Sequence, residues 1–199
     1  MDYQVLAYYS LERIEDPAGE VARHKEFLSQ RDFKGRIYLS EQGINGQASG
    51  QIGDAAEYRA WMEARFQKIS FKIHPASEHA YEKMIVKERK QLVALDCEVD
   101  FSQRGEPVSP ETWKKMLEER GEETLLLDVR NDYEWKIGHF EGAELPPLET
   151  FRQFPEYVKQ LKGERDPKTT SVMMYCTGGI RCEFFSAVLK KEGFEGTAR

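Results

Sequence analysis

Cys176 is followed by Thr177-Gly178-Gly179-Ile180-Arg181, which puts two glycines and a fixed positive charge within five residues of a thiol. The stretch before it, SVMMYC (171–176), has the apolar character of a buried strand, and a helical sequence follows from about Arg181 to Lys191. A cysteine at such a junction sits at the carboxyl edge of a parallel strand, where the sites of open α/β sheets lie. Adjacent glycines permit positive φ and close backbone approach. Successive N–H groups of the loop can point inward as an anion nest, reinforced by the helix N-terminus. Together with Arg181 these features favour thiolate over thiol. The loop can therefore hold an anion on sulfur: a thiolate, a persulfide or another adduct. The competing reading is a buried cysteine beside an ordinary strand–helix turn, and the loop alone leaves both open.

Loop length narrows the chemistry. The spacing is Cys-x4-Arg, one residue shorter than the Cys-x5-Arg loop with which cysteine phosphatases wrap a phosphate. The shorter loop suits a single sulfur better than a tetrahedral phosphoryl group. No Gly-Lys-Ser/Thr follows the glycines, so a P-loop is not indicated. Cys182 lies in the first turn of the following helix and can either resolve an oxidised Cys176 as a disulfide or pack as a small apolar side chain. Cys97 lies at a domain edge and offers little chemistry. Asp128, Arg130, Glu134 and His139 have acid–base potential. Their spacing favours bracing roles: an Arg130–Glu134 ion pair and a hydrogen-bonded His139 turn. Gly43–Gly50 does not lead into a helix, so a tight β-connection is expected there rather than a phosphate loop.

Lys83, Lys87, Arg89 and Lys90 form a basic cluster, with Lys68 and Lys72 nearby in sequence and Tyr81 and Phe71 as aromatics. One reading of this combination is a strip that contacts nucleic-acid phosphates. On the residues alone a solvated lysine-rich face diluted by Glu82 and Glu88 is the preferred reading.

The elements that must position these residues fall into two halves. Residues 3–9 read as a strand. A helix follows to about Asp32, with Asp16 as N-cap and Pro17 at the first helical position. Residues 35–40 and 44–50 read as strands. Tyr58, Trp61, Met62 and Phe66 mark one face of a second helix. Phe71 and Ile73 begin another strand, and residues 84–86 continue β-like. The order βαββαβ over residues 1–95 is the ferredoxin-like pattern. Residues 96–120 read as a linker and a short helix capped by Ser109 with Pro110 at its start. From 121 to 199, strands at 124–130 and 171–176 alternate with helices at 148–162 and 181–191, an α/β arrangement with a parallel sheet.

Bulk properties exclude other classes. The chain has 199 residues, 40% hydrophobic and 32% charged, with a net charge of −6. That composition argues against disorder. No apolar run approaches the ~20 residues of a membrane span. Three cysteines are too few for a disulfide scaffold, and no secretion signal opens the chain, so a cytoplasmic setting is expected. No metal-ligand spacing is present. The acidic balance argues against a nucleic-acid-coating surface in general, and no DNA partner is expected.

DVRNDYEWKIGHFEGA (128–143) together with YCTGGIRC (175–182) resembles a rhodanese domain. The resemblance implies that Cys176 is the loop cysteine and that Thr177, Gly178, Gly179, Ile180 and Arg181 cradle its anion. Glu41-Gln42-Gly43-Ile44-Asn45-Gly46, KERKQLVAL (87–95) and VSPETW (108–113) extend the likeness over nearly the whole chain. It is similar to the bacterial rhodanese-domain tRNA uridine 5-hydroxylases, which pair a ferredoxin-like domain with a rhodanese domain. The resemblance implies oxygen-dependent formation of 5-hydroxyuridine at the wobble position (34) of tRNA, dependent on the loop cysteine. Molecular oxygen is then cosubstrate, with no further cofactor motif and no identified electron donor. Sulfur transfer through a Cys176 persulfide is the alternative activity. Acylphosphatase activity is not expected, because Tyr9-Ser10-Leu11-Glu12 follows the first strand where a glycine-rich loop with arginine is needed. The sequence stops at Gly193–Arg199, so the final strand and helix of the rhodanese domain are expected to be missing.

Overall fold

The computed structural model describes residues 2–199, which fall into two compact units, Met1–Leu92 and Val93–Arg199. In the first, strand β1 (Tyr3–Ser10) leads to helix α1 (Pro17–Leu28). The Asp16 carboxylate accepts the Gly19 N–H at 2.9 Å and Pro17 occupies the first turn, as the sequence predicts. α1 ends at Leu28 rather than near Asp32, because the chain turns and enters strand β2 at Phe33. Strands β2 (Phe33–Ser40) and β3 (Gly43–Gln51) form a hairpin, followed by helix α2 (Ile52–Glu63), strand β4 (Ser70–Ala76) and strand β5 (Met84–Glu88).

The sheet order is β4-β1-β3-β2-β5. The first four strands are antiparallel neighbours in the ferredoxin-like arrangement, and β5 adds a fifth strand parallel to β2. The six-element pattern read from the sequence thus lacks one edge strand. Period-two alternation sends Leu6, Tyr8, Ile37, Leu39, Ile44 and Ala48 to the face that packs against Leu28, Tyr58 and Met62 of the two helices. Gly46 belongs to this face, where a Cβ would stand 2.2 Å from the Tyr8 ring. The residues considered as a phosphate loop lie within β3 and are paired on both sides.

The second unit opens with a 3-10 turn (Phe101–Gln103) and helix α3 (Pro110–Glu119), capped by Ser109, whose hydroxyl accepts the Thr112 N–H at 3.2 Å. Strand β6 (Thr124–Asp128), short helix α4 (Asp132–Trp135), helix α5 (Phe154–Glu164), strand β7 (Ser171–Tyr175), helix α6 (Ile180–Lys191) and strand β8 (Thr197–Ala198) follow. α5 starts later than the sequence suggests because Pro155 fixes the first turn, with a 3-10 turn (Phe151–Gln153) before it. The sheet is parallel, in the order β6-β7-β8.

Leu125, Leu126, Leu127, Val172, Met173 and Met174 are all buried, as expected of strands covered on both faces. α6 buries every residue from Cys182 to Leu189. Phe185 stacks on Phe154 of α5 with ring centroids 3.9 Å apart. Glu183 is tolerated inside because Arg104 and Arg199 reach its two oxygens at 2.9 and 2.7 Å. The expectation of a missing final strand is corrected: Thr197 and Ala198 pair in parallel with Val172 and Met173. Gly193, at φ 103°, turns the chain after α6, and Phe194 is buried completely.

Candidate active site

β6 and β7 run side by side and end together, with Asp128 paired to Tyr175. Cys176 is the first residue past that edge. The chain then turns through Gly179, whose φ of 98° is costly for any residue with a side chain, and enters α6 at Ile180. This geometry aims the Gly179 N–H at the Cys176 Sγ, 3.1 Å away.

Four donors converge on that sulfur. The Cys182 thiol has the largest effect, and burial opposes it. The Arg181 charge and the backbone N–H groups of Cys182 and Gly179 complete the set. The balance brings the Cys176 thiol down to about 5. At neutral pH the sulfur is therefore a thiolate. Cys182 is the complement: its hydrogen bond to Cys176 and its burial push its own thiol well above the ordinary value. It remains protonated and donates. Buried within α6, Cys182 is thus more than the small apolar filler that its position suggests.

Arg181 is held by Glu134 through a bidentate pair at 2.6 and 2.9 Å, and its guanidinium lies 5.5 Å from the Phe151 ring centroid. The Thr177 hydroxyl donates to the same carboxylate at 2.5 Å. Burial alone would raise the Glu134 carboxyl, but Arg181, Thr177 and the Asn131 N–H outweigh it and hold the group at about 2. The expected Arg130–Glu134 pair is not formed. Glu134 instead ties both ends of the cysteine loop to α4, and Arg130 clamps Asp128. Arg130 donates to both Asp128 oxygens and to the Gly138 carbonyl at 2.6 Å. Asp128 is wholly buried, so the nearest cation claims it. Glu134 is the residue that spacing from Arg130 misassigns. The signal for its position was the Asn131-x-x-Glu134 capping box, which is formed.

His139 is a turn residue, its Nδ1 3.0 Å from the Trp135 carbonyl oxygen. Tyr175 accepts the Phe140 N–H at 3.1 Å, tying the segment after α4 to the end of β7. Tyr133 on α4 and Ile137 just beyond it are 64% and 90% exposed, on either side in sequence of the carboxylate that grips the loop.

The basic cluster belongs to the first unit. Lys87 lies on β5 opposite Tyr38, and the Arg89 guanidinium is 4.7 Å from the Tyr38 ring centroid. Lys83 precedes β5, its carbonyl accepting the Gly35 N–H, and Lys90 is exposed beyond the strand. Lys72 is on β4, at the opposite edge of the sheet. Phe71 is not part of any strip: it faces the core, 4.9 Å from the Tyr8 ring centroid. A Ser49–His79–Asp32 alignment, at 3.1 and 3.0 Å, has the residue types of a hydrolase triad. Ser49 is completely buried and its hydroxyl also accepts the Ala80 N–H at 3.1 Å, so the set clasps a loop rather than offering a nucleophile.

Among the described residues no helix is long and apolar enough to cross a membrane. Residues 3–92 match the UPF0176 acylphosphatase-like domain, and residues 109–199 match the rhodanese-like domain. A protein of Chlamydia felis named tRNA uridine(34) hydroxylase is 53% identical over 196 residues, 98% of this chain and 60% of that protein. One of Protochlamydia amoebophila with the same name is 54% identical over 193 residues, 96% of this chain and 60% of that protein. The chain thus spans about 60% of the length of these curated relatives. Among solved structures, the dark state of the BLUF protein BlrB matches with TM-score 0.38 and 21% identity, covering 48% of this chain and 79% of that one. The chain therefore joins a segment that matches the UPF0176 acylphosphatase-like domain to one that matches the rhodanese-like domain, and along nearly all of its length it is similar to proteins named tRNA uridine(34) hydroxylase.

Proposed function

We propose that this chain supplies the Cys176-dependent hydroxylation of uridine 34 in cytoplasmic tRNA, giving 5-hydroxyuridine. The observation that carries the proposal is a half-buried thiolate at a strand edge, met by four donors, in a chain more than half identical to proteins of that name. A thiolate is the form of cysteine that adds to an electrophilic carbon. Addition of the Cys176 sulfur to C6 of the pyrimidine makes C5 electron-rich. C5 then takes one oxygen atom. Loss of the C5 proton and expulsion of the sulfur restore the ring and the thiolate. The oxygen comes from O2, and its second atom leaves as water after two electrons and two protons arrive from an external donor. Within the Thr177-Gly178-Gly179-Ile180-Arg181 loop, the Gly179 N–H and the Arg181 charge, with Cys182 beyond it, hold the sulfur's charge before addition and after release, and Thr177 fixes the loop through Glu134.

Isotope-labelled oxygen gas tests this. Incubated with tRNA and a reductant, the wild-type chain should place the label in the wobble nucleoside, read by nucleoside mass spectrometry. Cys176→Ala should place none. Label drawn from water, or incorporation by Cys176→Ala, contradicts the scheme.

A second reading is favoured by one contact, the Gly179 N–H on Sγ within a rhodanese-like loop. The Cys176 thiolate takes the outer sulfur of thiosulfate, whose S–S bond breaks to release sulfite, and the same donors hold the resulting persulfide for transfer. Intact-protein mass spectrometry after thiosulfate treatment should then show one added sulfur on Cys176, and an unmodified protein removes this reading.

A further inference from the structure

The sheet of the first unit has a second face on which none of its own helices packs. Strand pairing fixes its members. One row runs Ser70, Tyr9, Asn45, Tyr38, Lys87 across β4, β1, β3, β2 and β5. The next runs Lys72, Ala7, Gln47, Arg36, Ile85. Arg89 folds back over Tyr38. These two rows and Arg89 hold four cations, two amides and two tyrosines, and no carboxylate, in a chain of net charge −6. Glu88 alternates to the other side of β5. Arg36, Gln47, Lys72, Lys87 and Arg89 are exposed, while Tyr9, Tyr38 and Asn45 are half-buried, as rings lying on a sheet are.

The other end of the same face is closed. The His79 ring packs at a tilt against Tyr3, centroids 4.7 Å apart, and bonds Ser49, holding the 77–82 loop over the sheet. Tyr81 reaches back from that loop to Gln47 at 3.4 Å. The loop carries Glu78 and Glu82, so the acidic side chains stand at the roofed end. The open rows lie toward the Glu41-Gln42 hairpin turn.

We propose that these open rows are a platform for single-stranded RNA. Tyr9 and Tyr38 stack unpaired bases, Asn45 and Gln47 meet base edges between them, and Arg36, Lys72, Lys87 and Arg89 take the phosphates. The two tyrosines sit on β1 and β2 with β3 between, about 9.5 Å apart at the usual strand spacing. Open sheets that carry aromatics among cations bind unpaired RNA in this way, since every base offers a π-face. The Arg89 guanidinium already lies on the Tyr38 ring as a planar partner. A base takes its place and Arg89 moves to a phosphate. A protein partner is disfavoured because Ala7 and Ile85 are the only aliphatic residues in the two rows, too little for a docking core. The choice of RNA rests on the tRNA reading above; the charge and ring pattern does not.

Fluorescence anisotropy with a labelled anticodon stem-loop, and with the same stem as a blunt duplex, tests the proposal on the chain carrying Cys176→Ala. This background separates it from the hydroxylase reading, because it binds whether or not any oxidation occurs. Tyr9→Ala and Tyr38→Ala should each weaken stem-loop binding roughly five- to hundred-fold. Tyr38→Phe, which keeps the ring, should bind within about twofold of the parent. Arg36→Gln, an exposed change that spares folding, should weaken binding and flatten its salt dependence. Circular dichroism confirms that each variant is folded. Unchanged affinity in folded Tyr9→Ala and Tyr38→Ala, or a duplex bound as tightly as the stem-loop, overturns the platform.

Discussion

The Cys176 thiol is acidic because of what touches its sulfur, and the largest contributor is another thiol. Cys182 stays protonated because its neighbour does not. Alkylation of Cys176 by iodoacetamide should therefore follow a titration with a midpoint near 5, instead of the ordinary thiol value of 9.0. Cys182→Ala removes the strongest donor, so the midpoint should rise and alkylation at pH 6 should slow several-fold. An unchanged midpoint would show that Arg181 and the backbone suffice. Glu134 has the opposite charge and a different task. Its carboxyl is depressed from 4.5 to about 2, so its pairing with Arg181 and Thr177 is complete above pH 4.5 and fades as pH falls toward 2. Glu134→Gln should leave the second unit less stable at pH 7 and should flatten its acid-induced loss of stability between those pH values. A wild-type-like acid profile in that variant would contradict the assignment. The loop's turn and the anion-holding environment of its sulfur were legible from Cys176 to Arg181 because they depend on residues in one contiguous run. The Glu134 contact was not, since it joins groups 47 residues apart in sequence and spacing alone pointed Arg130 at it.

Elements were legible where local signals were complete. Asp16-Pro17 and Ser109-Pro110 mark helix starts that the backbone follows, because a cap needs only its own turn. Strand β5 and strand β8 were harder. Each is short and takes its identity from a partner distant in sequence, β2 for one and β7 for the other. Two substitutions probe the packing that the elements achieve. Phe185 is fully buried and stacks on Phe154, so Phe185→Ala should cost about 3–5 kcal/mol in urea unfolding of the second unit. Gly46 leaves room for the Tyr8 ring, whose hydroxyl meets that of Tyr58 at 2.5 Å. Gly46→Ala should cost about 1–3 kcal/mol through overpacking. A wild-type unfolding midpoint for either variant would mean that the core yields more than its close contacts imply.

At the scale of the whole molecule, charge and chemistry lie in different units. The thiolate belongs to Val93–Arg199, and the carboxylate-free sheet face to Met1–Leu92. Net charge conceals this division, because a chain of −6 still gathers Arg36, Lys72, Lys87 and Arg89 on one surface. If those four meet phosphates, log affinity for single-stranded RNA should fall with log salt with a slope of about −3. A slope near zero would remove the phosphate contacts. The sequence alone showed the cluster at Lys83–Lys90 but not its completion by Tyr9, Arg36 and Tyr38, because period-two alternation and strand order decide which residues share a face.

The most direct measurement is the wobble nucleoside itself. tRNA would be drawn from cells unable to make 5-hydroxyuridine, supplied with this chain or with its Cys176→Ala variant, and analysed by nucleoside mass spectrometry. The account predicts that 5-hydroxyuridine returns with the wild-type chain and not with Cys176→Ala. Its return with both, or with neither while the protein is folded and present, would contradict the claim that the Cys176 thiolate in this chain carries the reaction.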